Sequence, residues 1–85
     1  MASYRLLIKP SATKELEGLP LKDRRRVVTR MHGLSDQLRP PGCEKLTGHD
    51  LFRVRQGKYR IPYEAPDRDL TITIFKIGHR RDVDR

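Results

Sequence analysis

Arg53, Arg55, Lys58 and Arg60 stand close together in Leu51-Phe52-Arg53-Val54-Arg55-Gln56-Gly57-Lys58-Tyr59-Arg60-Ile61-Pro62-Tyr63-Glu64. A guanidinium holds its N–H groups in a planar fork that meets phosphate through two parallel hydrogen bonds. Several such groups on a rigid support would make a fixed anion site, unlike a loose basic tail. The support is legible in the same stretch. Phe52 and Val54 alternate with Arg53 and Arg55, and Tyr59, Ile61 and Tyr63 alternate with Lys58, Arg60 and Glu64. Strand side chains point alternately to opposite faces. Gln56-Gly57 supplies a turn with a residue that tolerates positive φ. The stretch therefore predicts a β-hairpin whose apolar face faces a core. Its other face collects Arg53, Arg55, Lys58 and Arg60, with Glu64 as the only acid. Surface solubility is the bland alternative for each cation. It fits Arg81 and Arg85 better than Arg60, whose neighbours place it beside Arg53 and Arg55.

The elements that must carry this hairpin follow from periodicity. Tyr4-Arg5-Leu6-Leu7-Ile8-Lys9 predicts a first strand with Tyr4, Leu6 and Ile8 on one side. Pro10-Ser11 stops it, and Ser11 can cap a short helix striped by Ala12, Leu16 and Leu19. Gly18-Leu19-Pro20 breaks that helix. A second helix is expected from about Leu21 to Leu38, with Val27, Val28, Met31, Leu34 and Leu38 inward and Gly33 weakening it. Its outer face carries Lys22, Arg24, Arg25, Arg26 and Arg30, either a solvated helix face or a second phosphate-facing surface. Pro40-Pro41-Gly42 ends it, and residues 43–50 read as a connector. After the hairpin and the turn-forming Ala65-Pro66-Asp67-Arg68-Asp69, the β-prone run Leu70–Ile77 predicts a strand buried on both sides. Pro62 removes a ladder donor from a strand that should be internal, which predicts a bulge or an edge there. The order β-α-α-β-β-β gives an α+β class: a small, mostly antiparallel sheet with two helices on one face and the basic hairpin face open.

Bulk properties narrow the partners. The 85 residues imply one domain, 1–85, with a thin core, since 35% of them are hydrophobic. A net charge of +8 in so small a domain points to a polyanion, nucleic acid ahead of an anionic membrane or an acidic protein. Cys43 is the only cysteine, so no internal disulfide forms, and a reducing compartment fits. No signal peptide or membrane span is legible, and a cytoplasmic location is expected. His32 and His49 have no metal-ligand spacing with each other or with Cys43. No phosphate loop, nucleotide fingerprint or nucleophile elbow is present, and neither metal nor cofactor is expected.

The ordered set of opening strand, Leu16-to-Pro20 break, Lys45-Leu46-Thr47-Gly48, Arg53-to-Tyr63 hairpin and Gly78-His79-Arg80-Arg81 resembles the RelE/ParE toxin superfamily, on the RelE side. The resemblance covers nearly the whole chain. It implies the toxin of a type II toxin–antitoxin pair, an endoribonuclease that enters the ribosome and cuts mRNA in the A site. It also implies a RelB-like cognate antitoxin, and a toxin–antitoxin complex that binds its operator DNA. Family matching puts the main catalytic arginine at Arg60 and a second at Arg80. It makes Arg53 and Arg55 positions that hold RNA, with Lys58 and Arg81 as further contacts.

Metal-independent RNA cleavage needs a base for the 2′-OH, cations for the phosphorane and an acid for the leaving 5′ oxygen. Many relatives close with Val-Tyr-Arg, whereas this chain has Val83-Asp84-Arg85. Aspartate cannot stack on a base, and its charge repels phosphate. His79 is the natural substitute base because its ordinary pKa is near neutral. A weakened or altered nuclease ranks first, and Asp84 as base ranks last. Two alternatives stand beside the nuclease: a ParE-like inhibitor of DNA gyrase, and a catalytically silent member that binds antitoxin or nucleic acid.

Overall fold

The computed structural model describes residues 4–48, 50–66 and 70–79, and of His79 the backbone alone. The elements run β1 (Arg5–Ile8), α1 (Pro10–Glu17), α2 (Leu21–Asp36), β2 (Glu44–Lys45), β3 (Leu51–Gln56), β4 (Tyr59–Glu64), β5 (Thr71–Ile74) and β6 (Gly78–His79). They form one mixed sheet in the order β1-β5-β4-β3-β2, with β6 attached to β4. β1 runs parallel to β5, and the other pairings are antiparallel. The α+β class, the two helices and the predominantly antiparallel sheet agree with the sequence expectation.

Residues directly opposite on paired strands share a face. Phe52↔Tyr63, Val54↔Ile61, Tyr63↔Ile74, Leu6↔Ile72 and Ile8↔Ile74 therefore build one apolar face. Val54, Ile61, Tyr63, Ile72 and Ile74 are fully buried there, against Ala12 of α1 and Val27, Met31 and Leu34 of α2. Each buried valine, leucine, isoleucine or methionine there contributes about 1.5–3 kcal/mol by leaving water. Phe52 and Tyr63 stack with centroids 5.7 Å apart. The Tyr63 hydroxyl donates to the Leu38 carbonyl at 2.7 Å and lies 3.2 Å from Cys43 Sγ. Burial first, and the Cys43 contact second, push its pKa well above the ordinary value.

Several local expectations are corrected. Proline opens α1, a position where its missing N–H is harmless. Ser11 does not cap the helix; Lys9 holds the N-cap position, and the Ser11 hydroxyl donates to the Phe75 carbonyl at 3.1 Å. α2 ends at Asp36, short of Leu38, because Gln37 turns to extended backbone. Leu38 still packs on the core from beyond the helix end. The connector contains β2, which pairs with β3. The hairpin turn is Gly57-Lys58, with Gln56 opposite Tyr59 and Gly57 at φ +61°. Glycine first in a two-residue loop is the II′ pattern, which matches strand twist.

The run after Leu70 is two strands with a break between them. Within β5 the alternation is clean, Ile72 and Ile74 inward and Thr71 and Thr73 half-buried outward. The chain then leaves β4 after Tyr63↔Ile74 and rejoins it at Arg60↔Gly78. Three residues, Phe75 to Ile77, thus face two, Ile61 and Pro62. This is the one-residue excess of a bulge. The disruption expected at Pro62 is real, but it falls on the neighbouring chain segment; the β3–β4 register stays unbroken through Arg53↔Pro62. β4 is internal, and Pro62 lies opposite the bulged segment, where the β4–β5 and β4–β6 registers are interrupted. α1 serves the freed groups of the break. Glu15 accepts from the Ile77 N–H at 3.0 Å, one helical turn from the Ser11 bond to Phe75.

Candidate functional site

The outward face of the hairpin is built by alternation alone. Arg55 lies directly opposite Arg60, Arg53 opposite Pro62, and Glu44 on β2 opposite Arg53. The sheet thus brings together three of the expected site residues, Arg53, Arg55 and Arg60. Like charges placed opposite each other destabilise a strand pair. One carboxylate offsets this locally. Glu44 Oε1 accepts from Arg53 Nη2 at 2.8 Å and Nε at 3.2 Å, and lies 3.5 Å from Arg55 Nη2. The Arg53 hydrogen bond first, then the charges of Arg53, Arg55 and Arg60, hold the Glu44 carboxyl below its usual range.

The arginines differ in exposure. The Arg55 side chain is 54% exposed and that of Arg53 is 14% exposed. Arg60 is 7% exposed, so the hairpin face is open at Arg55 and closed at Arg60. This corrects the expectation of a uniformly open basic face. Arg60 is on a strand flanked by β3 on one side and β6 on the other, opposite Arg55 and Gly78. Lys58 is also corrected. It occupies the turn instead of the strand face, with its ammonium 5.7 Å from the centre of the Tyr59 ring.

Arg55, Lys58, Tyr59 and Arg60 line one small cleft of about 130 Å³. Its frame is tied to the helices. The Tyr59 hydroxyl donates to Asp23 Oδ2 at 2.8 Å, linking the residue before Arg60 to the first turn of α2. That hydrogen bond is the leading cause that raises the Tyr59 pKa. A guanidinium held on a central strand and largely shielded from water acts more strongly on a nearby charge than a solvated one. The cleft therefore suits a phosphate: Arg60 is fixed, Arg55 is exposed and Lys58 stands at the rim.

Arg80, Arg81, Asp84 and the side chain of His79 lie outside the described residues, as does His49. Of His79, the backbone is placed opposite Tyr59. Among the described residues, no three His, Cys, Asp or Glu side chains gather as a metal site, and no helix is long and apolar enough to cross a membrane. Glu44 and Asp23 were missed by the sequence reading. Neither carries a local signal, because their partners lie 9 and 36 residues away.

The family model of the ParE toxin of type II toxin–antitoxin systems, parDE, matches residues 6–84. A chain of the archaeal RelE–RelB complex from Pyrococcus horikoshii OT3 has 31% identity and a TM-score of 0.85, over 95% of this chain and 99% of that one. A chain of the toxin–antitoxin complex RelBE2 from Mycobacterium tuberculosis has 28% identity and a TM-score of 0.80, over 96% and 97%. The isolated RelE toxin of E. coli shares the fold, with 21% identity and a TM-score of 0.77 over 91% of this chain and 84% of that one. A comparison with curated protein sequences finds no match.

Two helices on one face of a mixed sheet, with arginines across its central hairpin, define a small basic α+β toxin domain. The chain belongs to the RelE/ParE superfamily, the toxins of type II toxin–antitoxin systems.

Proposed function

We propose that residues 1–85 form one RelE-like domain that cuts mRNA in the ribosomal A site without a metal. The observation that carries this reading is the Arg55↔Arg60 pair, with Arg53 beside it, on a sheet that matches RelE–RelB structures over nearly its whole length. In the reaction the 2′ oxygen attacks the adjacent phosphorus and the P–O5′ bond breaks. A 2′,3′-cyclic phosphate and a free 5′-hydroxyl result. One proton leaves the 2′-OH for a base, and one reaches O5′ from an acid.

The fixed Arg60 guanidinium stabilises the charge that grows on the phosphorane oxygens. Arg55, the most exposed of the three arginines, meets the incoming strand. Arg53, held by Glu44, sets the field around it. From the family resemblance, Arg80 is a second phosphate contact, Arg81 and Lys58 steady the strand, and His79 is the base. Asp84, where relatives carry tyrosine, weakens the enzyme. The antitoxin is a RelB-like chain, by analogy with the P. horikoshii and M. tuberculosis complexes. The paired complex binds its own operator DNA, and the site of action is cytoplasmic.

Primer extension on mRNA from a bacterial translation extract tests the activity. Codon-phased cuts by the parent, stronger for Asp84→Tyr, are the expected result. The ParE description of the matching family model favours one second reading, inhibition of DNA gyrase. Absence of cuts together with loss of DNA supercoiling in a gyrase assay would establish that reading instead.

A further inference from the structure

The arginines of α2 divide into two groups. Arg24 is structural: its Nη2 donates to the carbonyls of Glu17 and Leu19 and so closes the end of α1. Arg25, Arg26 and Arg30 do something else. They line an open cleft of about 530 Å³ with Gly33, Gln37 and Gln56, and among the described residues no carboxylate lines it. These helix positions, from Arg25 to Gly33, recur over about two turns of one side of α2. Arg30 also donates to the Pro41 carbonyl at 3.3 Å, which steadies the loop that walls the cleft.

Gly33 is a second, independent observation. It lies inside α2, where glycine is the least favourable residue after proline. Its φ is not positive, and a Cβ there would meet nothing within 4 Å. Packing therefore gives no reason for glycine. What glycine does supply is a bare stretch of helix in the cleft, open to close approach by a ligand.

The cleft also continues into the hairpin site. Arg26 and Gln56 line the next hollow with Gly57, Lys58 and Tyr59, and these last three line the cleft of Arg55 and Arg60. The acid of the middle hollow, Asp23, is engaged by Tyr59. A cationic track thus runs from Arg60 over the hairpin tip to Arg30.

We infer that the α2 cleft formed by Arg25, Arg26, Arg30 and Gly33 binds the sugar–phosphate backbone of a single RNA strand, continuous with the strand at Arg55 and Arg60. The inference rests on the reading above only for the class of polyanion, RNA; it does not require cleavage. A protein partner fits the cleft less well. A docking helix needs apolar anchors, and among the described residues the one apolar side chain in this lining is Pro40.

The test is fluorescence anisotropy with a short single-stranded 2′-O-methyl RNA, which cannot be cut through its 2′ oxygen, titrated against the full chain at several salt concentrations. Arg25→Ala/Arg26→Ala should weaken binding about tenfold or more. It should also make the salt slope shallower by about 1.4, two phosphate contacts at ~0.7 each. Gly33→Leu should weaken binding while the thermal midpoint holds or rises, since leucine favours helix. Unchanged affinity in the double variant overturns the inference, even if ribosome-dependent cutting by the parent stands. Loss of binding in both variants supports it, even if the parent cuts nothing and the nuclease reading falls. Poly-glutamate released by the double substitution, with RNA binding untouched, would assign the cleft to an acidic polypeptide and also overturn it.

Discussion

At the β1–β5 end of the sheet, the outward positions pair Arg5 with Thr71 and Leu7 with Thr73. At the β2–β3–β4 end they pair Glu44 with Arg53 and Arg55 with Arg60. Both ends rest on the same inner layer, and both obey the same alternation. The first end asks nothing unusual of its outward residues: threonine suits a strand, and an exposed leucine is ordinary. The second places two guanidinium groups opposite each other, and among the described residues Glu44 relieves Arg53 and Arg55. Like charges placed directly opposite each other weaken a strand pair, so this end gives up stability that the first does not. The comparison separates residues whose placement the core explains from residues whose placement it does not, and Arg55 and Arg60, the cations of the proposed site, fall in the second group.

The sharpest way to break this division is through the inner layer. Ile74→Ala should cost about 2–5 kcal/mol, because the side chain is fully buried and its site cannot collapse completely. Urea unfolding would measure it. A cost below 1 kcal/mol would mean that the two ends do not share one core.

A smaller effect is expected where α1 meets the break after β5. Glu15→Ala leaves the Ile77 N–H without its acceptor and should cost about 1–3 kcal/mol by the same measurement. Glu15→Gln, which keeps an acceptor, should cost less.

The mildest probe is Glu44→Gln at the arginine end. The folded-state pKa of Glu44 lies below its ordinary value of 4.5. Its contribution to stability is therefore complete above that value and is lost as pH falls through the lowered one. The parent should lose stability over this acid window relative to Glu44→Gln. At neutral pH the variant should bind RNA about two- to fivefold more tightly, since one negative charge beside Arg53 and Arg55 is gone. Weaker RNA binding would show that Glu44 orients the arginines more than it masks them.

Sequence periodicity was enough for β1, both helices, the hairpin and the outward placement of Arg53, Arg55 and Arg60. These follow from local spacing, and spacing is a local property. The pieces it did not reveal depend on contacts distant in the chain. β2 and β6 have two residues each, too short for any period, and exist because β3 and β4 are there to pair with them. Ser11 carries the residue type of a cap yet serves Phe75, 64 positions away. The charge of Arg60 could be placed from sequence, but its burial could not, because burial depends on the whole fold around it. Gly33 read as a weak point in a helix; its place in a basic cleft appears only with the hairpin tip beside it.

The most direct test of the central claim is ribosome-dependent mRNA cleavage by Arg60→Ala and Arg60→Lys, with each variant's thermal unfolding recorded beside it. The account predicts that cleavage falls by about a hundredfold or more in Arg60→Ala while the variant still unfolds cooperatively. Arg60→Lys should recover little of the activity, because an ammonium keeps the charge and loses the fork. Cleavage by folded Arg60→Ala at the parent rate would contradict the claim that this hairpin holds the catalytic cation.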